Sequence, residues 1–299
     1  MDLVSQAAAA YLDTVAGSDA VRLRFLEGLW DIQSAIESVD RPYSAPDRGA
    51  AREALLSGQT LFGVSAPVVP VADYTKAVAQ IARYASEMAG LPAEQAEALR
   101  DTDFAAVLNE NRLTGAVRSV DALIADVVAE LDAKQSGPLT PASVAFVLVS
   151  ALVPFLTGPA DAALKALGEF DRSMWAEGRC PVCGAAASMG RMGESTTLKG
   201  AERVLWCDHC HSEWGYDRIR CTRCGTRNPD KLHYSHLEGD PAHRLHLCDE
   251  CHGYTRFVFV DDLSAPLSMV VEDAISARLD AIAIENGFTA NGDGGQGKC

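Results

Sequence analysis

Eight of the nine cysteines in this 299-residue chain fall into four C-x-x-C pairs: Cys180/Cys183, Cys207/Cys210, Cys221/Cys224 and Cys248/Cys251. The pairs make two copies of one pattern, C-x2-C-x23-C-x2-C, and the second copy lies 41 residues after the first. The same offset places Arg179 on Arg220, Gly184 on Gly225, Arg203 on Arg244, Asp208 on Asp249 and His211 on His252. A fixed offset of this kind marks a duplicated unit. Any fold for this region must bring thiols separated by more than 20 residues together, twice over.

A C-x-x-C turn lets two sulfurs converge on one side of a tight loop. Glycine after the second cysteine, as at Gly184 and Gly225, suits the left-handed backbone that such a turn needs. Two turns complete a tetrahedral S4 site, the arrangement of zinc ribbons and rubredoxin-like knuckle pairs, which holds zinc or iron. Cys180, Cys183, Cys207 and Cys210 are expected to hold one metal, and Cys221, Cys224, Cys248 and Cys251 the other. Interleaved pairing is the rival, but equal spacing in both copies makes each self-sufficient. A ribbon of about 35 residues is too small to fold on a hydrophobic core alone, so a metal staple is expected. All-cysteine sites have no open position for substrate, which favours structural or redox roles over hydrolysis. Ligand softness does not choose between zinc and iron.

Other readings of the cysteines fare worse. Cys207–His211 and Cys248–His252 each satisfy C-x-x-C-H, which can mark c-type haem attachment, but that leaves two pairs without a role. A disulfide framework does not suit a reducing cytosol. Thioredoxin chemistry needs one C-x-x-C, not four in tandem. All seven histidines lie between residues 209 and 252. His209, His211 and His252 adjoin metal cysteines and are expected beside the sites rather than as ligands. His233, His236, His243 and His246 are expected on an exposed, polar ribbon loop. Cys299 ends a glycine-rich tail over residues 289–299 and is read as a bystander.

The formal net charge is −15. Residues 171–260 carry 12 basic and 12 acidic side chains, so the whole excess resides elsewhere. Phosphate binding requires a basic face, so no nucleic-acid partner is expected. The Met-Asp-Leu start lacks the basic region of a signal peptide. The longest apolar stretch, residues 142–156, is shorter than the ~20 residues a membrane span requires. A cytoplasmic protein without a membrane span is the expectation. The spacing carries no signal for the oligomeric state.

Apolar residues at helical spacing predict helices over 21–39, 47–56, 73–89, 93–110, 116–133 and 141–155, with a further helix from Pro159 to about Trp175. Thr140-Pro141 reads as an N-cap and first helical residue. Short runs at 203–206, 213–216, 231–237 and 255–260 predict ribbon strands. A last helix is expected from Pro266 to about Asn286. The predicted fold class is multi-domain α plus small β: a helical domain (1–175), a first rubredoxin-like or zinc-ribbon subdomain (176–218), a second (219–262), and a C-terminal helix with a flexible tail (263–299).

The region 175–256 resembles the formate dehydrogenase accessory proteins of the FdhE family. Trp175 and Gly178 precede Cys180-Pro181-Val182-Cys183-Gly184, similar to that family's W-x2-G-x-C-P-V-C-G opening. Leu205, Cys207, Cys210, Trp214, Arg218, Cys221 and Cys224 match its central L-x-C-x2-C-x3-W-x3-R-x2-C-x2-C run. Tyr234, Cys248, Cys251 and Tyr254 resemble its last ribbon, and Arg256 stands where lysine is expected. The resemblance implies a helical domain followed by two rubredoxin-like subdomains holding iron or zinc. It also implies a cytoplasmic maturation factor, not an enzyme. Such a factor interacts with the catalytic subunit of formate dehydrogenase and is needed for its activity. The alternatives from other classes are a rubredoxin-like iron electron carrier and a zinc-ribbon nucleic-acid-binding module. Trp214 is expected to pack between the two metal units, and Arg218 to cap a carbonyl or thiolate.

Overall fold

The computed structural model describes residues 2–37, 41–133, 138–168, 174–194 and 201–292. The expectations for 38–39, for 169–173 and for the tail from residue 293 to Cys299 lie outside them, whereas Thr289 of the expected flexible tail is bonded to His252 and Tyr254. The described residues form two compact units. One comprises residues 25–169 with 182–185, and the other comprises 1–24, 170–181 and 186–299.

The first unit is helical. Its elements are α2 (Gly17–Glu37, which begins in the other unit), α3 (Arg48–Leu56), α4 (Leu61–Val64), α5 (Val71–Met88), α6 (Ala93–Asp101), α7 (Glu110–Ala116), α8 (Val120–Ala133) and α9 (Pro141–Leu167). Side-chain caps start several of them: Asp47, Thr60, Asn109 and Thr140 each accept a backbone N–H of the first turn. Thr140 caps and Pro141 opens α9 as the sequence predicts. The predicted helix over 93–110 is divided instead. Asp103 accepts the N–H groups of Ala105 and Ala106 to form a short 3-10 turn, and Asn109 then starts a new helix. Short polar side chains competing for backbone donors account for both breaks.

α9 forms the centre of this unit. Proline was expected to divide it, yet it runs for 27 residues through Pro154 and Pro159. Pro154 has no N–H to offer the Ser150 carbonyl, and Gln33 Nε2 donates to that carbonyl at 2.8 Å instead. The unbroken helix is long and apolar enough by composition to cross a membrane, and 56% of its most apolar window is buried within the protein. It packs against α3, α5 and α8 as a core helix. Tyr74, fully buried on α5, donates its hydroxyl to the Leu148 carbonyl at 2.8 Å and meets Phe155 edge-on at 6.0 Å. Residues 182–185 group with these helices, the Phe62 N–H donating to the Val182 carbonyl at 3.0 Å.

The second unit is built on a six-stranded mixed sheet. Its strands are β1 (Met189–Glu194), β2 (Ala201–Trp206), β3 (Glu213–Gly215), β4 (Leu232–His236), β5 (His243–Cys248) and β6 (Gly253–Phe259), in the order β3-β2-β1-β6-β5-β4. Each copy of the repeat supplies one antiparallel three-stranded meander. Parallel pairing of β1 with β6, Met189 opposite Arg256 through Met192 opposite Phe259, fuses the two meanders into one sheet. Four strands fall on the predicted runs. β1 and β5 were missed, because glycines and methionines dilute the first and two histidines and an arginine interrupt the second.

α1 (Leu3–Leu12), α10 (Met269–Ser276) and α11 (Arg278–Glu285) complete this unit. The predicted single C-terminal helix is thus two, meeting at Ala277. Leu279 and Ala283 of α11 pack with Leu245, Leu247 and Tyr254, and Phe288 closes against that cluster. The architecture is a helical N-terminal region, a small mixed sheet carrying two tetra-cysteine clusters, and closing helices.

Candidate metal centres

The eight cysteines gather as each copy's spacing requires. The sulfurs of Cys180, Cys183, Cys207 and Cys210 lie within 4.8 Å of one another, and so do those of Cys221, Cys224, Cys248 and Cys251. The grouping is within copies, not interleaved. Sulfur separations of 3.6 Å (Cys180–Cys210), 3.8 Å (Cys221–Cys251) and 3.8 Å (Cys224–Cys248) are far too long for disulfides, in which the bond is about 2.05 Å. They match the edge of a tetrahedron around a metal bound at about 2.3 Å, which is about 3.8 Å. The donor sets therefore fit four-coordinate zinc or iron.

All four C-x-x-C turns use one device. The residue after each second cysteine is left-handed: Gly184 (φ 88°), His211 (φ 58°), Gly225 (φ 76°) and His252 (φ 50°). The His211 N–H returns to the Cys207 carbonyl at 2.8 Å, and the Gly225 N–H to the Cys221 carbonyl at 3.1 Å. The C-x-x-C-H motifs thus have a backbone explanation: histidine occupies a position that glycine fills elsewhere, and it is among the side chains that tolerate it best. His211 stacks on Trp206 at 5.5 Å, and His252 lies 6.0 Å from Phe288.

The two groups differ in their surroundings. Seven of the eight cysteines are buried and Cys224 is half-buried, so neither group presents a wide opening. Around the second group, the Cys221 sulfur accepts the Arg223 N–H at 3.3 Å. Burial works to raise the Cys221 thiol's pKa, but the N–H groups of Cys224 and Arg223 outweigh it and bring it below the ordinary value. Burial pushes Cys224 up to about 11 and also raises Cys251. A bound cation would overcome these costs by taking all four as thiolates. Burial depresses the pKa of Arg223, and the thiolates of Cys221 and Cys251 oppose that depression. Its guanidinium donates to the Tyr254 carbonyl at 3.1 Å, beside the negative charge that four thiolates would leave on a divalent ion.

Arg203 is the side chain whose role the sequence hid. It is fully buried on β2 and donates to the carbonyls of Asp217 (3.2 Å), Arg218 (3.2 Å) and Arg220 (2.8 Å). These carbonyls lie on the link between the two copies. Its other Nη lies 3.2 Å from His246 Nδ1, so that nitrogen must accept. Burial, then the Arg203 charge, pushes His246 down to about 3, which fixes it neutral. Arg203 also lies over the Phe257 ring at 4.4 Å. Arg244, its counterpart 41 residues on, caps the surface instead, paired with Asp262 at 2.6 Å. Trp214 is buried as expected, its indole donating to the Glu177 carbonyl at 3.2 Å. Arg218 is exposed, and its carbonyl accepts from Arg203.

His233 and His236 are exposed as expected. His243 and His246 are not on an exposed loop: both are buried on β5. His243 Nδ1 lies 2.8 Å from Asp240, and Nε2 lies 2.7 Å from the fully buried Glu272 of α10. The Tyr11 hydroxyl donates to the same Glu272 oxygen at 2.8 Å. Burial alone would lower the His243 pKa, but the two carboxylates outweigh it and raise it to about 9. Burial raises Asp240, but His243 and Arg278 together bring it down to about 2. Both ring nitrogens carry protons held by carboxylates, so this imidazolium offers no lone pair for base catalysis. It ties α1, β5 and α10 together.

No family model matches the chain. Curated relatives do. A "Protein FdhE homolog" of Aquifex aeolicus is 32% identical over 145 residues, covering 48% of each chain. One of Shewanella baltica is 33% identical over 119 residues, covering 40% of this chain and 38% of the relative. The crystal structure of the FdhE protein from Pseudomonas aeruginosa superposes with a TM-score of 0.58 at 20% identity, covering 99% of this chain and 97% of that one. The chain is thus similar to FdhE proteins in sequence over part of its length and in fold over nearly all of it. The sequence matches span less than half the length of these curated relatives, whereas the shared fold extends across nearly the whole FdhE chain.

Proposed function

We propose that this chain is an FdhE-type maturation factor for formate dehydrogenase, acting in the cytoplasm, binding the enzyme's catalytic subunit and catalysing no reaction itself. The observation that carries the reading is the pair of closed tetra-cysteine groups set in one sheet. Neither group leaves a coordination position for a substrate, so the metals suit a binding scaffold or an electron-holding role rather than hydrolysis. The eight ligands would be Cys180, Cys183, Cys207 and Cys210 for one ion and Cys221, Cys224, Cys248 and Cys251 for the other, as zinc or iron. Iron in such a set can change oxidation state, and zinc cannot. The domain division that goes with this reading is a helical domain (1–175), two ribbons (176–218 and 219–262) and a C-terminal region (263–299).

Two measurements test it. The purified chain should retain a formate dehydrogenase catalytic subunit in a pull-down, and a strain lacking the chain should lose formate oxidation. Absence of binding together with undiminished formate oxidation overturns the proposal. Elemental analysis and an absorption spectrum of anaerobically purified protein should give two metal equivalents and identify them as iron or zinc.

A further inference from the structure

The second tetra-cysteine group is overlain by the chain that follows α11. The Thr289 N–H donates to the His252 carbonyl at 2.8 Å, and the Tyr254 N–H donates to the Thr289 carbonyl at 3.1 Å, so residue 289 makes a parallel bridge with Gly253. These bonds fasten the segment to the residues that immediately follow the ligand Cys251. Three residues on, Gly292 turns with φ 73° against that ligand: a Cβ there would lie 3.2 Å from Cys251 Sγ and 3.1 Å from its carbonyl oxygen. A side chain there would crowd the sulfur, and the left-handed turn strains residues other than glycine. Phe288 anchors the segment, packed on the cluster of Leu245, Leu247, Tyr254, Leu279 and Ala283.

The segment is held lightly. Among the described residues, it is joined to the end of the second group's last turn and β6 by two backbone hydrogen bonds and to α11 by a third, Phe288 N–H to the Ala283 carbonyl at 2.9 Å, with the Phe288 ring as anchor, whereas Cys251 itself is fixed by the sheet through β6. Cys251 is 7% exposed and its partner Cys224 is half-buried, against 0% to 5% for the four cysteines of the first group. The second group is thus the more accessible of the two even with the segment in place, and the segment shields one of its sulfurs.

We propose that residues 288–292 form a strap that governs ion exchange at the second tetra-cysteine group alone, which makes that group the exchangeable centre and the first a permanent staple. This rests on the reading of both cysteine groups as metal centres. A chelator or an incoming thiol must reach a bound sulfur to displace it, and opening the strap exposes Cys251 without unfolding the sheet.

The test uses the full chain loaded with zinc and mixed with a chromogenic chelator, with release followed in time. Cys221→Ser identifies which phase of release belongs to the second centre. Thr289→Pro removes the N–H that binds His252, and Phe288→Ala removes the anchor. Loss of one or two net hydrogen bonds, each about a factor of three to ten, sets the expected acceleration of the second-centre phase at roughly tenfold. The first-centre phase should stay within about twofold. Equal acceleration of both ions, or of neither, in both variants overturns the strap. A chain that binds no ion in either group overturns the reading beneath it, and metal content alone shows which has failed.

Discussion

Replacing His243 by glutamine should remove a pH-dependent tie from the sheet unit. In the fold the imidazole lies between Asp240 and Glu272, with 4% of its side chain exposed. Its pKa rises from 6.5 in the unfolded chain to about 9. A group whose pKa is raised on folding contributes stability that is complete below its unfolded value and is lost as pH climbs through its folded value. The window here runs from about pH 6.5 to about pH 9. A shift of 6.5 to about 9, at ~1.4 kcal/mol per unit, gives an upper figure of about 3 kcal/mol across that window. Urea unfolding of both proteins at several pH values from 6 to 10 measures the difference directly. Three of the four tryptophans, Trp175, Trp206 and Trp214, lie in the sheet unit, so their emission reports on it. Cysteine protonation and metal loss affect both proteins alike and cancel in the difference. The wild-type advantage should be largest near pH 6 and shrink steadily towards pH 10. Parallel stability curves would refute the argument, as would an advantage that grows with pH.

Three further outcomes are expected. Cys180→Ser should remove one metal equivalent and leave the second, with Cys221→Ser removing the other, as read by elemental analysis; loss of both ions from either change would show that the groups are not independent. Arg203→Met should cost about 3–5 kcal/mol in chemical unfolding, because it leaves three linker carbonyls without their donor. His252→Gly should leave stability within about 1 kcal/mol of wild type while His252→Val costs about 1–2 kcal/mol more, since the position is left-handed and a β-branched residue is least able to adopt it; thermal melts of the metal-loaded proteins rank the three.

The two cysteine groups were legible because a tetrahedral metal site imposes a spacing, and that spacing is written in the cysteines themselves. The helical region was legible in its periodicity, though not in its breaks. Whether Pro154 ends a helix depends on Gln33, which is distant in sequence and supplies the missing donor. The burial of His243 and His246 was hidden for the same reason. A histidine on an alternating strand reads as polar and exposed until Glu272 or Arg203 is found waiting for it, and those partners are 29 and 43 residues away. Arg203 illustrates the limit of the repeat as a guide. The offset pairs it with Arg244, yet one is a buried clasp on the link between copies and the other a surface ion pair, because only the first copy has a second copy to be joined to.

The way the copies meet has a consequence for copy number. β1 of the first meander takes β6, the last strand of the second, so the join is head to tail. Head-to-tail joins close into rings only where the rotation between copies allows it, and otherwise continue indefinitely. The two copies differ at the strand that makes the join. β6 continues to Phe259 and offers residues 256–259 to the seam, whereas the equivalent stretch of the first copy, residues 215–218, leaves the sheet after Gly215. The first copy thus lacks the strand stretch with which the second copy makes the seam.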